Sequence, residues 1–103
     1  MAGETVAIGP GKIQLLEAIE QTGSLTAAAK QIDMSYRRAW LLINELNGAL
    51  KSPAVESAKG GEHGGGSVLT SVGKRLVREY RSIESAAAAA CRSEISALTR
   101  LLA

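Results

Sequence analysis

The chain has 103 residues and a formal net charge of +2, and its aromatic residues are Tyr36, Trp40 and Tyr80 alone. This length suits one domain, residues 1–103, whose core is thin enough that we expect a partner subunit to add to it. No membrane span or secretory signal is visible, and the single cysteine, Cys91, excludes an internal disulfide, so a cytoplasmic protein is expected.

A short strand and a first helix are predicted at the start of the chain. Glu4–Ile8 favours a strand, which ends at Gly9–Gly11. Apolar residues then recur at helical spacing, with Ile13 and Leu16 on the stripe, until Thr22 is followed by glycine.

Two serines predict where the second and third helices begin. Ser24 and Ser35 each precede a helical pattern, and a serine hydroxyl can accept a hydrogen bond from a free backbone N–H of the first turn. The inner face of the third helix, residues 36–50, gathers Ala39, Ile43, Leu46 and Leu50.

The outer face of the third helix has an unusual composition. It carries Arg37, Arg38, Leu41, Asn44 and Glu45, with Tyr36 and Trp40 at its border. A solvated face seldom sets a leucine among arginines and an asparagine, so this face is predicted to contact another molecule. The alternative is a surface helix with one stray leucine.

The segment KGGEHGGGS, residues 59–67, lies between two predicted strands, AVESA and SVLT. Gly60 and Gly65 have the spacing of a phosphate-binding Walker loop, but Gly66 stands where that loop needs lysine, and no register fits a dinucleotide fingerprint. A linker is excluded because the loop joins two matching strands. A hairpin tip remains, either one whose glycine backbone approaches DNA phosphates or an idle loop.

The last helix is expected to begin after Thr70, which can cap it, and to run to the C-terminus, since no glycine or proline interrupts it after Gly73. Such a rod of about 50 Å is too long for this domain to cover. We therefore expect residues 70–103 to dimerise, a lone solvated helix being the alternative. The predicted dimer interface comprises Ile13, Leu16, Leu76, Tyr80, Ile83, Ala87, Cys91 and Ile95.

Enzymatic and metal chemistry find little support. His63 is the single histidine and Cys91 the single cysteine, and these two cannot close a metal site. We expect no enzyme, no cofactor and no small-molecule site.

The order helix, turn, helix, glycine-tipped hairpin and long helix is that of a winged helix-turn-helix. The predicted fold class is therefore mainly α (α+β), with a short N-terminal strand, a two-stranded wing and a long C-terminal dimerisation helix. GSLTAAAKQIDMS resembles the LysR-type helix-turn-helix. SYRRAW, INELN and GGEHGGGSVLTSVGKRLV, spread over Ile13–Tyr80, are similar to the N-terminal domain of the ModE family of molybdate-responsive transcriptional regulators.

The resemblance implies a transcriptional regulator, and it has limits. Full-length members carry molybdate-binding modules, whereas this chain ends at Ala103, so molybdate sensing is not carried over. The family's wing commonly has a lysine or arginine among its glycines, where Glu62 and His63 stand here. Lys59 and the backbone amides are then expected to meet the phosphates.

The leading hypothesis is a homodimer that binds a palindromic operator in double-stranded DNA. The predicted base contacts are Tyr36, Arg37, Arg38, Leu41 and Asn44, because arginine suits guanine, asparagine suits adenine and leucine can touch a thymine methyl. The predicted backbone contacts are Ser24, Thr26, Ser35, Lys59, Gly60, Gly61, His63, Gly64, Gly65 and Ser67. The alternative is a dimerising adaptor that binds a protein partner, which the low net charge and Glu62 favour.

Overall fold

The computed structural model describes residues 8–58 and 66–103, which form five helices and one two-stranded antiparallel sheet. The elements in chain order are α1 (Pro10–Thr22), α2 (Leu25–Gln31), α3 (Tyr36–Ala49), β1 (Val55–Ala58), β2 (Gly66–Leu69), α4 (Ser71–Ala90) and α5 (Arg92–Thr99). Most of the predicted N-terminal strand and the wing tip, residues 59–65, lie outside the described residues. No described helix is long and apolar enough to cross a membrane.

All three predicted helix caps are confirmed. The side-chain oxygens of Ser24, Ser35 and Thr70 each accept a hydrogen bond from the backbone N–H three residues further on, at 3.0, 3.1 and 3.1 Å. Each cap satisfies one of the backbone donors that a helix start leaves without an intrahelical partner. The starts of α2, α3 and α4 are therefore fixed by local chemistry.

Helix α1 lies at the centre of the domain. Its buried side chains pack against α2, α3, α4 and the hairpin. Ile13 and Leu16 are both 0% exposed within the single chain. Their predicted place in a dimer interface is thus corrected, because side chains without accessible surface cannot contact a second chain. These two side chains of α1 belong instead to the core of their own domain.

The tail is two helices and not the single rod that we expected. Helix α4 ends at Ala90, Cys91 adopts φ −107° and ψ 25°, and α5 begins at Arg92. Every residue from 82 to 103 is exposed, so local propensity alone decides the backbone there. Cysteine is a weaker helix former than the alanines before it, and the helix breaks where that run ends.

The hairpin and α4 meet at a contact without space for a side chain. The backbone N–H of Thr70 donates to the Ala54 carbonyl at 2.9 Å, and its hydroxyl donates to the Pro53 carbonyl at 2.7 Å. One turn later, a Cβ on Gly73 would overlap the same Ala54 oxygen. Glycine at position 73 lets the first turn of α4 lie directly on the backbone that enters β1.

We predict that Gly73→Ala lowers the free energy of unfolding by about 1–3 kcal/mol, because the added methyl group must displace backbone. Denaturant unfolding measures the loss. The matched control is Gly48→Ala on α3, where a Cβ meets nothing within 4 Å. Alanine should there add up to about 1 kcal/mol through helix propensity. Equal effects of the two substitutions would contradict the close contact at position 73.

Candidate nucleic-acid interface

Two arginines occupy the first turn of α3. Neither the Arg37 nor the Arg38 guanidinium makes a hydrogen bond or ion pair within residues 8–58 and 66–103, and the first turn holds no acidic residue. Cations at a helix N-terminus oppose the helix dipole, which favours anions there. Folding stability does not account for these side chains. An anionic ligand in front of the helix would.

The rest of the outer face continues this surface. Leu41 is 50% exposed one turn after the arginines, and Asn44 follows a further turn along. The Asn44 amide donates one hydrogen bond to the Trp40 carbonyl at 2.8 Å, which leaves its second N–H and its Oδ1 open. All five predicted base contacts are exposed on α3, as the helical period required. Their contacts with bases stay a prediction.

Helix α3 carries one acid on the same outer face, and the charge of this acid is balanced. Lys12 Nζ, from the start of α1, lies 2.9 Å from Glu45 Oε1. The lysine side chain is 10% exposed and the glutamate side chain 67% exposed. The pair joins the core helix to the outer face and offsets the negative charge beside Asn44.

A cleft of about 310 Å³ separates α3 from the hairpin and from the start of α2. Five of the predicted contacts line this cleft, namely Ser24, Thr26, Tyr36, Asn44 and Ser67. They come from three elements, and most of them present hydroxyl or amide groups, which suit phosphate and sugar oxygens. Arg37, Arg38 and Leu41 do not line it, and Ser35 caps α3 beside it.

Seven residues that line the cleft were not among the predicted contacts, and four of these seven carry a polar group. Trp40, Asn47, Glu56 and Ser57 all contribute to its walls. The spacing of Tyr36, Trp40 and Asn44 in steps of four was a sufficient sign for the tryptophan, whose ring is half exposed. No local pattern marks the other three, because they reach the cleft through the packing of the hairpin on α3.

Asn47 holds the hairpin against α3. Its Oδ1 accepts from the backbone N–H groups of Ala54 and Val55 at 2.8 and 3.3 Å, and its Nδ2 donates to the Val55 carbonyl at 3.1 Å. Three bonds from one amide therefore fix where β1 starts relative to the exposed face of α3. Since Val55 and Ala54 are buried, no water can easily replace this partner.

A second contact fixes the other strand. The Ser67 backbone N–H donates to the Gly23 carbonyl at 3.0 Å, and Gly23 ends α1 in the left-handed conformation with φ 75°. A Cβ on Gly66 would lie 2.6 Å from that same oxygen. The turn between α1 and α2 thus sets the position of β2. Together with Asn47, it fixes the wing relative to the helix-turn-helix.

These elements define a winged helix-turn-helix domain. The likeness to a solved structure, the crystal structure of the CbnR_DBD–DNA complex, has a TM-score of 0.66 and covers 87% of this chain and 99% of that one. At 22% sequence identity it shows the fold alone, and it confirms the winged helix-turn-helix of the predicted fold class.

No protein-family model matches the chain. It is 42% identical over 81 residues to the molybdenum-pterin-binding protein MopB of Rhodobacter capsulatus, covering 79% of this chain and 30% of MopB. It is 44% identical over 78 residues to the molybdenum transport protein ModE of Azotobacter vinelandii, covering 76% and 29%. It is 45% identical over 71 residues to the DNA-binding transcriptional dual regulator ModE of Escherichia coli K12, covering 69% and 27%.

The chain is therefore a homologue of the ModE and Mop proteins, in agreement with the resemblance seen in the sequence. It spans between 27% and 30% of the length of these three relatives. None of the three bears the name of an enzyme.

We predict that Asn47→Ala lowers the free energy of unfolding by about 1–3 kcal/mol, because it leaves buried backbone groups without partners. Thermal unfolding should show a loss of several degrees for each kcal/mol in a domain of this size. Asn44→Ala, one turn away and exposed, is the control and should leave the stability nearly unchanged. A stable Asn47→Ala protein would mean that another group holds β1.

Proposed function

We propose that this chain is a sequence-specific DNA-binding transcriptional regulator of the cytoplasm that acts as a homodimer on a palindromic operator. The observation that carries the proposal is the pair of arginines at the start of α3, which have no hydrogen-bond or ion-pair partner among residues 8–58 and 66–103. They stand on the exposed face of α3, and other residues of the same helix line a polar cleft together with strands β1 and β2. Support comes from a homologue that is named a DNA-binding transcriptional dual regulator.

In this proposal the outer face of α3 enters the major groove. Arg37 and Arg38 donate to guanine O6 and N7, Leu41 touches a thymine methyl, and Asn44 reads adenine through its open N–H and Oδ1. Tyr36 meets either a base or a phosphate. The polar assignments follow from the hydrogen-bonding groups that each side chain has left after folding, and the Leu41 assignment follows from its exposed apolar surface.

The cleft and the wing position the phosphate backbone. Ser24, Thr26 and Ser67 line the cleft, and the Ser35 hydroxyl, which accepts the cap bond, still has its proton to donate. The helix N-terminus behind Ser35 adds free backbone N–H groups that attract a phosphate. The wing residues Lys59, Gly60, Gly61, His63, Gly64 and Gly65 complete the proposed backbone contacts.

DNA binding itself is tested by titrating the chain with genomic fragments at two salt concentrations and by selecting an operator from random duplexes. A charged contact with several phosphates predicts a steep loss of affinity as salt rises, and sequence readout predicts a complex that resists competitor DNA. Absence of binding at low salt would contradict the proposed DNA-binding function and favour the alternative, an adaptor that binds a protein partner.

We predict that Arg37→Ala costs about 1–3 kcal/mol of operator affinity and relaxes the preference at one base pair. Arg92→Ala on α5 removes the same charge far from α3 in sequence and should weaken binding little. An equal loss on the operator and on random duplexes would show that Arg37 contacts a phosphate instead of a base.

The dimer is proposed to form along the exposed apolar side of α4 and its continuation into α5. Ile83 is 68% exposed, and Ile95, Leu98 and Leu102 continue the exposed apolar residues. Leu76 and Tyr80 lie half-buried against the core at the start of the same stripe. Apolar surface of this extent is typical of an interface, and two recognition helices read a palindrome only if a dimer holds them about one DNA turn apart.

We predict that Ile83→Asp produces a monomer, because dimerisation would bury an unpaired charge at a cost of several kcal/mol. Sedimentation should show the monomer, and affinity for the palindrome should fall toward the non-specific level. Ser85→Asp adds the same charge on the opposite side of α4 and serves as control. A dimeric Ile83→Asp protein with full operator affinity would place the interface elsewhere.

A further inference from the structure

The place where α4 leaves the domain is marked by one residue. From Ser71 to Arg81, α4 rests on the domain through Gly73 and half-buried side chains, and from residue 82 onward every side chain is exposed. Arg81 is thus the last residue of α4 that is not exposed among those that the structure describes. Everything C-terminal to it, including Ile83 of the proposed dimer seam, projects beyond the domain.

Arg81 is held by a geometrically demanding contact. Its Nε and Nη2 donate to the two carboxylate oxygens of Glu17 at 3.0 and 2.6 Å, and its Nη1 donates to Glu84 at 2.7 Å. A guanidinium that meets a carboxylate with two parallel bonds is fixed in angle as well as in distance. The Arg81 hydrogen bonds hold the pKa of the Glu17 carboxyl below its ordinary value of 4.5.

The Glu17 end of this contact belongs to the core helix. Glu17 stands on α1 between the buried residues Leu16 and Ala18, and α1 contacts α2, α3, α4 and β2. The Arg81–Glu17 pair therefore ties α4 to the helix on which the other elements pack. It does so at the last point before the helix becomes free.

The contribution of this ion pair to folding stability does not explain why it is present. The two side chains remain 39% and 31% exposed, and ion pairs at such surfaces add little to folding free energy. The pair is better explained by its effect on the direction of α4, because a small change in that direction is amplified along the exposed part of the helix beyond Arg81. A tilt of about 10° moves a point about 20 Å along α4 and α5 by about 3.5 Å, close to the rise of one base pair.

We propose that the Glu17–Arg81 pair sets the spacing of the two half-sites that the dimer accepts, as a specificity-determining contact that touches no DNA. The proposal rests on the dimeric DNA-binding function given above. The direction in which α4 leaves each domain fixes how far apart the two α3 helices stand. A surface ion pair thereby determines which operators the dimer binds.

Three variants distinguish the effect of the two-bond geometry between Arg81 and Glu17 from the effects of charge and of the neighbouring Glu84. Glu17→Gln keeps the shape of the side chain and removes its charge, and Arg81→Lys keeps the charge and removes the fork. Glu84→Gln is the matched control, because it removes the negative charge from the acceptor of the third Arg81 bond and leaves the fork to Glu17 intact. All three positions lie at the surface, so each variant is expected to fold.

The test uses the full chain and duplexes whose two selected half-sites are moved apart or together by one or two base pairs, beside a duplex with a single half-site. The wild type and Glu84→Gln should prefer one spacing by about tenfold or more. Glu17→Gln and Arg81→Lys should bind the single half-site as the wild type does and remain dimeric in sedimentation. Their preference among spacings should fall below about threefold. Exchanging the charges, with Glu17→Arg and Arg81→Glu together, should restore part of the preference.

A readout without DNA accompanies the titrations. In a Cys91→Ser background, whose dimeric state is first checked by sedimentation because Cys91 belongs to the predicted interface, a spin label at Lys30→Cys on α2 reports the distance between the two domains of the dimer. The wild type should give one narrow distribution, and Glu17→Gln should broaden it. An unchanged spacing preference in Glu17→Gln would overturn the proposal, as would an equal loss on the single half-site. A wild type that binds no duplex would instead defeat the proposed function, on which this inference rests.

Discussion

Burial of the α1 side chains is the interaction on which the other elements depend. Helix α1 contacts α2, α3, α4 and the hairpin, and its apolar residues have almost no accessible surface. In a chain with three aromatic residues, no second core exists within the described residues to orient these elements. The exposed face of α3, the wing and the exit of α4 all take their positions from the same helix. The distances between the proposed contact residues on α3 and on the hairpin therefore depend on how these elements pack on α1.

Local chemistry made much of this fold predictable. The helix caps Ser24, Ser35 and Thr70 could be predicted because each capping bond joins residues only three positions apart. The helical period likewise places the outer face of α3 correctly. The hairpin strands also follow the predicted segments, with Val55 paired to Leu69. These features depend on neighbours in sequence. A single chain reveals them without any knowledge of tertiary structure.

Contacts between distant segments were beyond the sequence. Glu17 and Arg81 are 64 positions apart, and no periodicity links them. The assignment of Ile13 and Leu16 failed for a related reason, because an apolar stripe does not say whether it faces its own domain or a partner. The break at Cys91 depends on the absence of any packing around the tail. The proposed bases and phosphates remain predictions, since they concern a molecule that the chain alone does not contain.

The first turn of α3 has a thermodynamic consequence for the free protein. Arg37 and Arg38 stand where the helix dipole favours acids, so the unbound domain gives up part of the stability that this helix start can offer. A phosphate placed there reverses the sign of that interaction. In the DNA complex proposed above, folding and binding are linked, and the bound domain is expected to resist heat better than the free domain by an amount that salt diminishes.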